Sequence, residues 1–117
     1  MSERAILDLS RLHEIFEDDE AGIVELLELA LGTGQRHVRQ LREALGAGDA
    51  ASVARAAHGI KGSASNIGAL EVTRISAEIE ERTRNAQLDG VTNLAAELEG
   101  AYATLGERVR SYRAEVL

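Results

Sequence analysis

The sequence predicts an all-α protein, an antiparallel four-helix bundle with a short additional helix at its N-terminal end. Three observations support this prediction. Proline is absent from the 117 residues, and alanine, leucine, glutamate and arginine, all good helix formers, dominate the composition. Apolar residues recur three or four positions apart along four long segments, as on one face of a helix. Short glycine-containing stretches separate these segments, and short connections favour antiparallel neighbours. The length fits a single domain, residues 1–117.

The chain is predicted to begin with a short arm and a short helix. Residues 1–8 form the arm in this interpretation, which leads directly into the helix over residues 10–17. Asp8 or Ser10 would cap that helix, because both side chains carry an oxygen that accepts from free backbone N–H groups.

A long helix is predicted over residues 20–46, after the acidic stretch that ends at Glu20. Gly32 and Gly34 interrupt its pattern, and a glycine inside a helix costs about 1 kcal/mol relative to alanine. We interpret this stretch as a weak or bent turn of the helix and not as a break. The apolar positions of the helix are Ile23, Leu26, Leu27, Ala30, Leu31, Val38, Leu41 and Leu45.

Three more helices complete the predicted bundle. Asp49 is suited to cap the first of them, and Gly68 is suited to end it, because glycine readily adopts the left-handed conformation found there. The next helix covers residues 70–86 and the last covers residues 91–115. The apolar positions of these two helices are Leu70, Val72, Ile75, Ile79, Val91, Leu94, Leu98, Leu105, Val109 and Tyr112.

The charge and the composition exclude several classes of function. A net charge of −7 disfavours binding to nucleic acid or to anionic membrane surfaces, since both need a basic face. No apolar stretch reaches the length of about 18 residues expected of a membrane-spanning helix. The N-terminal residues lack the pattern of a signal peptide. Cysteine is absent, so disulfides give no information on the compartment. We therefore expect a soluble cytoplasmic protein.

The helix after Asp49 carries a histidine on its solvent-facing side. At about 100° per residue, His58, Lys61 and Gly62 gather opposite the apolar stripe, with Ala54 and Ser65 nearby. Because no large side chain surrounds the imidazole, the sequence predicts an accessible histidine with a cation one helical turn away. The apolar stripe consists of Val53, Ala56, Ala57, Ile60, Ala64 and Ile67.

The residues around this histidine resemble the signature of histidine phosphotransfer (HPt) domains. The signature reads His58-x-x-Lys61-Gly62, and a second glycine, Gly68, follows six residues after Gly62. The order of the predicted helices, from about residue 8 to residue 115, is also similar to that of the family. This resemblance implies that the ε nitrogen of His58 accepts a phosphoryl group. It also implies transfer to or from an aspartate of a response-regulator receiver domain in a two-component phosphorelay.

The same resemblance implies the partners. The phosphoryl donor would be the receiver domain of a hybrid kinase, or a histidine kinase directly. The sequence has no glycine-rich nucleotide-binding motif, so we expect a phosphoryl carrier without a kinase active site and not an enzyme. No cofactor is expected on this chain, and Mg²⁺ is expected on the partner receiver domain. The carrier is expected to be a monomer.

Three further residues receive roles next to His58. The ammonium of Lys61 would neutralise charge on the phosphoryl group. Gly62, at position i+4, would leave access to the imidazole. Glu80 lies where the resemblance places a hydrogen-bonding residue, 22 positions after the histidine, and its carboxylate would orient the ring. The alternative for Glu80 is a solvated surface glutamate, and the same alternative holds for Lys61 as a solvated lysine.

Two alternative functions remain at this stage. The bundle would equally support a helical adaptor or dimerisation module in which His58 is inert, because a fold does not fix a function. An HPt-like domain that binds a receiver domain without transferring phosphate is a third interpretation, although domains of that kind usually lack the histidine.

The rest of the chain yields two predictions, one about the docking surface and one about metal binding. We expect Leu12, Ile15 and Phe16 of the first helices to extend the docking surface around His58. His13 and His37 match no motif, and with no cysteine present the sequence predicts no metal site.

Overall fold

A computed structural model, which describes residues 2–117, contains six helices. Residues 2–117 contain no β-strand, so the prediction of an all-α fold is confirmed. The helices are α1 (Glu3–Ile6), α2 (Ser10–Ile15), α3 (Glu20–Gly46), α4 (Ala50–Ile67), α5 (Leu70–Thr83) and α6 (Val91–Val116).

The four long helices, α3 to α6, form the predicted antiparallel bundle. Their connections are short, and each helix packs against the next one along the chain, so neighbours run in opposite directions. Helix α6 also packs against α3, which closes the bundle around one core. The largest fully buried side chains are Leu12, Ile23, Leu27, Leu41, Ile60, Ile79, Leu98 and Leu105.

Capping residues fix the two ends of α4, the helix that carries His58. The Asp49 carboxylate accepts a hydrogen bond from the backbone N–H of Ser52 at 3.1 Å, as predicted for an N-cap. Gly68 ends the helix with a φ of +79°, in the left-handed region, as predicted. A Cβ atom on Gly68 would collide with the backbone carbonyl of Asp8, so this position needs glycine for two reasons.

The N-terminal segment differs from the predicted arm. Met1 lies outside the described residues, but Glu3–Ile6 form one helical turn that packs against α5 and α6, and Leu7 is buried in the core. The Asp8 N–H donates to the Gly68 carbonyl at 2.8 Å and so fixes the segment to the end of α4. A single turn is too short to produce a helical period in a sequence, which explains the difference.

Helix α3 runs without a break through both of its interior glycines, as predicted. They have different environments. A Cβ on Gly32 would meet no atom within 4 Å, whereas a Cβ on Gly34 would lie 2.6 Å from Cε1 and 2.7 Å from Cζ of Tyr102. Gly34 therefore provides the space in which the Tyr102 ring of α6 lies against the backbone of α3.

Helix α5 is shorter than predicted and begins differently. It ends at Thr83, three residues before the predicted end at residue 86, because Ala86 has a φ of +60° and closes a turn onto the Thr83 carbonyl. Leu70 was predicted to face the core but is exposed. As the first residue of α5 it lies at the edge of the bundle, and the preceding Ala69 is buried in its place.

Candidate functional site

Helix α4 presents one face to the core and the opposite face to solvent, as its periodicity predicted. The apolar positions are buried, with the exception of Ala56, which is half-buried. On the opposite face the side chain of His58 retains 70% of its accessible surface. The imidazole is therefore held on a rigid, well-packed helix while its ring remains open to another protein.

The side chain of Glu80 joins this face from α5. Its Oε2 lies 2.6 Å from Nδ1 of His58, and its Oε1 accepts a hydrogen bond of 2.6 Å from Nζ of Lys61. The Glu80 side chain is largely covered, with 21% of its surface exposed. One carboxylate thus holds both the imidazole and the lysine, and the solvated-glutamate alternative is wrong for the position of this side chain.

The charges in this cluster determine which ring nitrogen of His58 is available. Hydrogen bonds from Lys61, and then from His58, hold the pKa of the Glu80 carboxyl below its usual value, against the opposing effect of burial. An ionised carboxylate can only accept hydrogen bonds, so Nδ1 must be the protonated ring nitrogen. In the neutral ring, the lone pair then lies on Nε2.

The Lys61 side chain does not project freely into solvent beside the histidine. Its ammonium is bound to Glu80, and about a third of the side chain is exposed. The spacing of three residues from His58 correctly indicated a common flank of α4. It could not indicate that a carboxylate from another helix lies between the two side chains.

Gly62 lies on the exposed part of the same face. A Cβ at this position would meet no atom within 4 Å, so the space above it is open and no neighbouring side chain requires glycine there. Only a side chain longer than a methyl group could restrict access to His58. The neighbouring glycine, Gly59, packs near His37, because a Cβ at Gly59 would lie 3.6 Å from Cε1 of that ring.

The predicted docking residues on α2 do not all lie at the surface. Leu12 is buried in the core, with 1% of its surface exposed, so its assignment to the docking surface is wrong. The Leu12 side chain packs from α2 into the core of the bundle. Ile15, three residues later, is exposed. Phe16, which packs partly against the core, is half-buried.

The other two histidines, both among the described residues, form no hydrogen bond with the cluster of His58, Lys61 and Glu80. Nδ1 of His13 lies 3.0 Å from Oδ1 of Asp18, and the ring packs edge-on against Tyr112. His37 of α3 lies over Gly59. Within residues 2–117, no three His, Asp or Glu side chains are grouped so that they could hold a metal ion.

Comparison with known proteins assigns the family. The family model described as the Hpt domain matches residues 25–108, which include most of α3, all of α4 and α5, and the larger part of α6. The chain belongs to the Hpt domain family. A comparison with curated proteins gave no match.

Solved Hpt structures resemble the chain over nearly its full length. The crystal structure of histidine-containing phosphotransfer protein B (HptB) from Pseudomonas aeruginosa PAO1 matches with a TM-score of 0.85 and 28% identity, and the match covers 100% of this chain and 96% of that one. The HPT domain of the Hpt sensor hybrid histidine kinase from Shewanella matches with a TM-score of 0.80 and 17% identity, over 97% and 98% of the two chains. The second likeness concerns the fold alone.

Membership of the Hpt family gives the general role. Hpt domains are phosphoryl carriers that act between kinases and response regulators, so the family supports a histidine phosphotransfer role in phosphorelays. In the described part of the chain, no helix combines the length and the apolar character needed to cross a membrane.

Proposed function

We propose that His58 carries the phosphoryl group of this Hpt protein and exchanges it with an aspartate of a response-regulator receiver domain. One observation supports this assignment above the others. The Nδ1 atom of His58 is bound to Glu80 at 2.6 Å, while 70% of the side chain is exposed. The ring is thus oriented from the protein side and presents Nε2 to solvent.

The proposed transfer uses the lone pair of Nε2. In the direction from receiver to carrier, this lone pair attacks the phosphorus of the aspartyl phosphate. The N–P bond forms, the bond from phosphorus to the aspartate oxygen breaks, and the aspartate leaves as a carboxylate. The proton on Nδ1 stays in place, and the Glu80 carboxylate stabilises the positive charge that the ring gains. The reverse reaction follows the same path.

Lys61 and Gly62 complete the proposed site. The Lys61 ammonium lies one helical turn from His58, so it can turn from Glu80 towards a phosphoryl oxygen and neutralise charge there. Gly62 has no side chain and the space above it is open, so in this proposal it adds no obstacle to a partner that approaches Nε2. We further propose that the protein acts as a monomer, that a histidine kinase or hybrid kinase supplies the phosphoryl group, and that Mg²⁺ is held by the receiver domain.

A label-transfer assay tests this function. The protein is incubated with a receiver domain carrying labelled aspartyl phosphate, and acid-labile label on the carrier is followed with time. The wild type should gain label and His58→Gln should not, while His13→Gln and His37→Gln should still be labelled. If the wild type binds receivers but never gains label, the protein is an adaptor with an inert His58, the alternative function.

A further inference from the structure

A polar pocket lies between α3 and α4, on the side of α4 that faces away from Glu80. We refer to it as the α3–α4 pocket, and its volume is about 290 Å³. It is open to solvent, and Gly59, the residue next to His58, forms part of its wall. The pocket is therefore continuous with the face that presents the imidazole. Its lining consists of His37, Gln40, Ser52, Arg55, Ala56 and Gly59.

Two cations flank His58 on opposite sides of α4. Lys61 follows it by three residues and Arg55 precedes it by three, which places them about 60° to either side of the histidine on the helix. Lys61 faces α5 and binds Glu80 there. Arg55 faces α3 and contributes to the pocket. A protein that approaches His58 meets both side chains.

Unlike Lys61, Arg55 has no carboxylate partner in residues 2–117. Its Nη2 donates to Oγ of Ser52 at 2.8 Å, and Ser52 in turn donates to Asp49 at 2.6 Å. Asp49 is already engaged as the N-cap of α4. Hydrogen bonds from Ser52, with a smaller contribution from the Arg55 charge, hold its pKa below the usual value. The remaining N–H groups of the guanidinium are available to an external acceptor.

His37 supplies a second unused polar group. Its Nδ1 atom is buried and has no hydrogen-bond partner among the described residues. Its Cε1 and Nδ1 atoms would lie 3.6 and 3.7 Å from a Cβ atom on Gly59, in ordinary van der Waals contact. Buried polar atoms without partners are rare because they lose hydration without gaining a hydrogen bond.

We propose that the α3–α4 pocket receives a carboxylate side chain of the receiver domain as its phospho-acceptor aspartate reaches His58. This inference rests on the proposed function and names the contact that guides docking at the same site. Charge complementarity supports a carboxylate, because Arg55 and the Gln40 amide line the pocket and no acidic residue does, although the protein carries a net charge of −7. The planar guanidinium also matches a carboxylate in geometry.

The test compares Arg55→Gln with Arg110→Gln. Arg110 lies on the exposed surface of α6, away from α4, so both variants remove one positive charge but only one alters the pocket. Dissociation constants are measured for the receiver domain that binds the wild type most tightly in a panel of purified receivers. Saturating transfer rates are measured in parallel, and circular dichroism confirms the helical fold.

We expect Arg55→Gln to raise the Kd by about 2- to 5-fold relative to Arg110→Gln, as for a partly exposed ion pair, and the difference to shrink at high salt. In parallel, each acidic residue near the phospho-acceptor of the receiver domain is replaced by its amide. One of these replacements should abolish the Kd difference between Arg55→Gln and Arg110→Gln. Equal Kd values for the two variants overturn the proposal, and so does a loss confined to the saturating rate. Tight binding without transfer would overturn the proposed function alone.

Discussion

The imidazole of His58 shares its carboxylate partner with a lysine. Glu80 uses one oxygen for each of them, at 2.6 Å in both cases. An arrangement of this kind orients the ring and also keeps a cation within one helical turn of it. The carboxylate and the ammonium are thus already in position before a phosphoryl group arrives. Positioning charged groups in advance is the main way in which a protein can assist phosphoryl transfer.

Replacing Lys61 tests whether this cation acts on the transferred group. Lys61→Ala should lower the saturating rate of transfer by about tenfold or more, because the charge on the phosphoryl oxygens loses its neutralising partner. Receiver binding should change less than the rate. Stopped-flow or quench measurements of label transfer give both quantities. Equal rates for variant and wild type would make Lys61 a surface residue that only binds Glu80.

Gly62 offers a graded test of access. Gly62→Ala adds a methyl group in open space, whereas Gly62→Gln adds a side chain long enough to reach over the ring. Both should stabilise the folded protein, by up to about 1 kcal/mol, since glycine is a poor helix former. Transfer should slow far more in the glutamine variant than in the alanine variant. Urea unfolding and label transfer are the two measurements, and equal transfer rates for the two variants would contradict the access argument.

The bundle depends on close contact between α3 and α6 at one glycine. Gly34→Ala should destabilise the protein by about 1–3 kcal/mol, because the added methyl group must displace the Tyr102 ring. Gly32→Ala is the matched control on the same helix. It should stabilise by up to about 1 kcal/mol, because its Cβ meets no other atom. Urea unfolding followed by circular dichroism decides, and similar effects for the two variants would show that Tyr102 does not constrain this position.

Glu80 also links α4 to α5, and its titration gives the link a pH dependence. Its folded-state pKa is lowered by Lys61 and His58, so its stabilising contribution is present above the unfolded value, near 4.5, and is lost as pH falls through the lowered value. The free energy of unfolding of the wild type should therefore exceed that of Glu80→Gln at pH 6. The difference should shrink below about pH 4.5. A difference independent of pH would mean that the ion pairs contribute nothing to stability.

Sequence periodicity located the long helices because each has a continuous apolar stripe. It missed features that depend on contacts between helices. Leu7 is buried because the single helical turn before it packs against the end of the bundle. Gly34 is required by Tyr102, which lies 68 positions later in the chain. Leu12 was placed at the surface although it belongs to the core. A short helix has too few residues for its hydrophobic periodicity to show which side chains face the core.

The site was predicted to a different extent at each residue. The exposed position of His58 follows from the periodicity of α4 alone. The contact between His58 and Glu80 joins two helices, so no spacing within one helix could establish it, and it was expected only through the family resemblance. The pocket formed by Arg55 and His37 was missed for the same reason. The position of Arg55, three residues before His58, was the available signal.

The assembled bundle presents the proposed reactive group, the His58 imidazole, at its surface. His58 lies on the outer face of α4, and the capped ends of that helix fix its position against α3 and α5. A receiver domain that covers this face meets Lys61 on one flank and Arg55 on the other. The fold thus supplies a rigid platform, while the chemistry depends on a few side chains at its surface.

The position of the phosphoryl group on the ring tests the central claim most directly. Two-dimensional ¹H–¹⁵N NMR of the histidine rings, recorded before and after transfer from a phosphorylated receiver domain, identifies both the residue and the nitrogen that are modified. The orientation imposed by Glu80 predicts phosphorylation at Nε2 of His58, with a proton retained on Nδ1 and with His13 and His37 unchanged. Phosphorylation at Nδ1 of His58, or on either of the other histidines, would contradict the account.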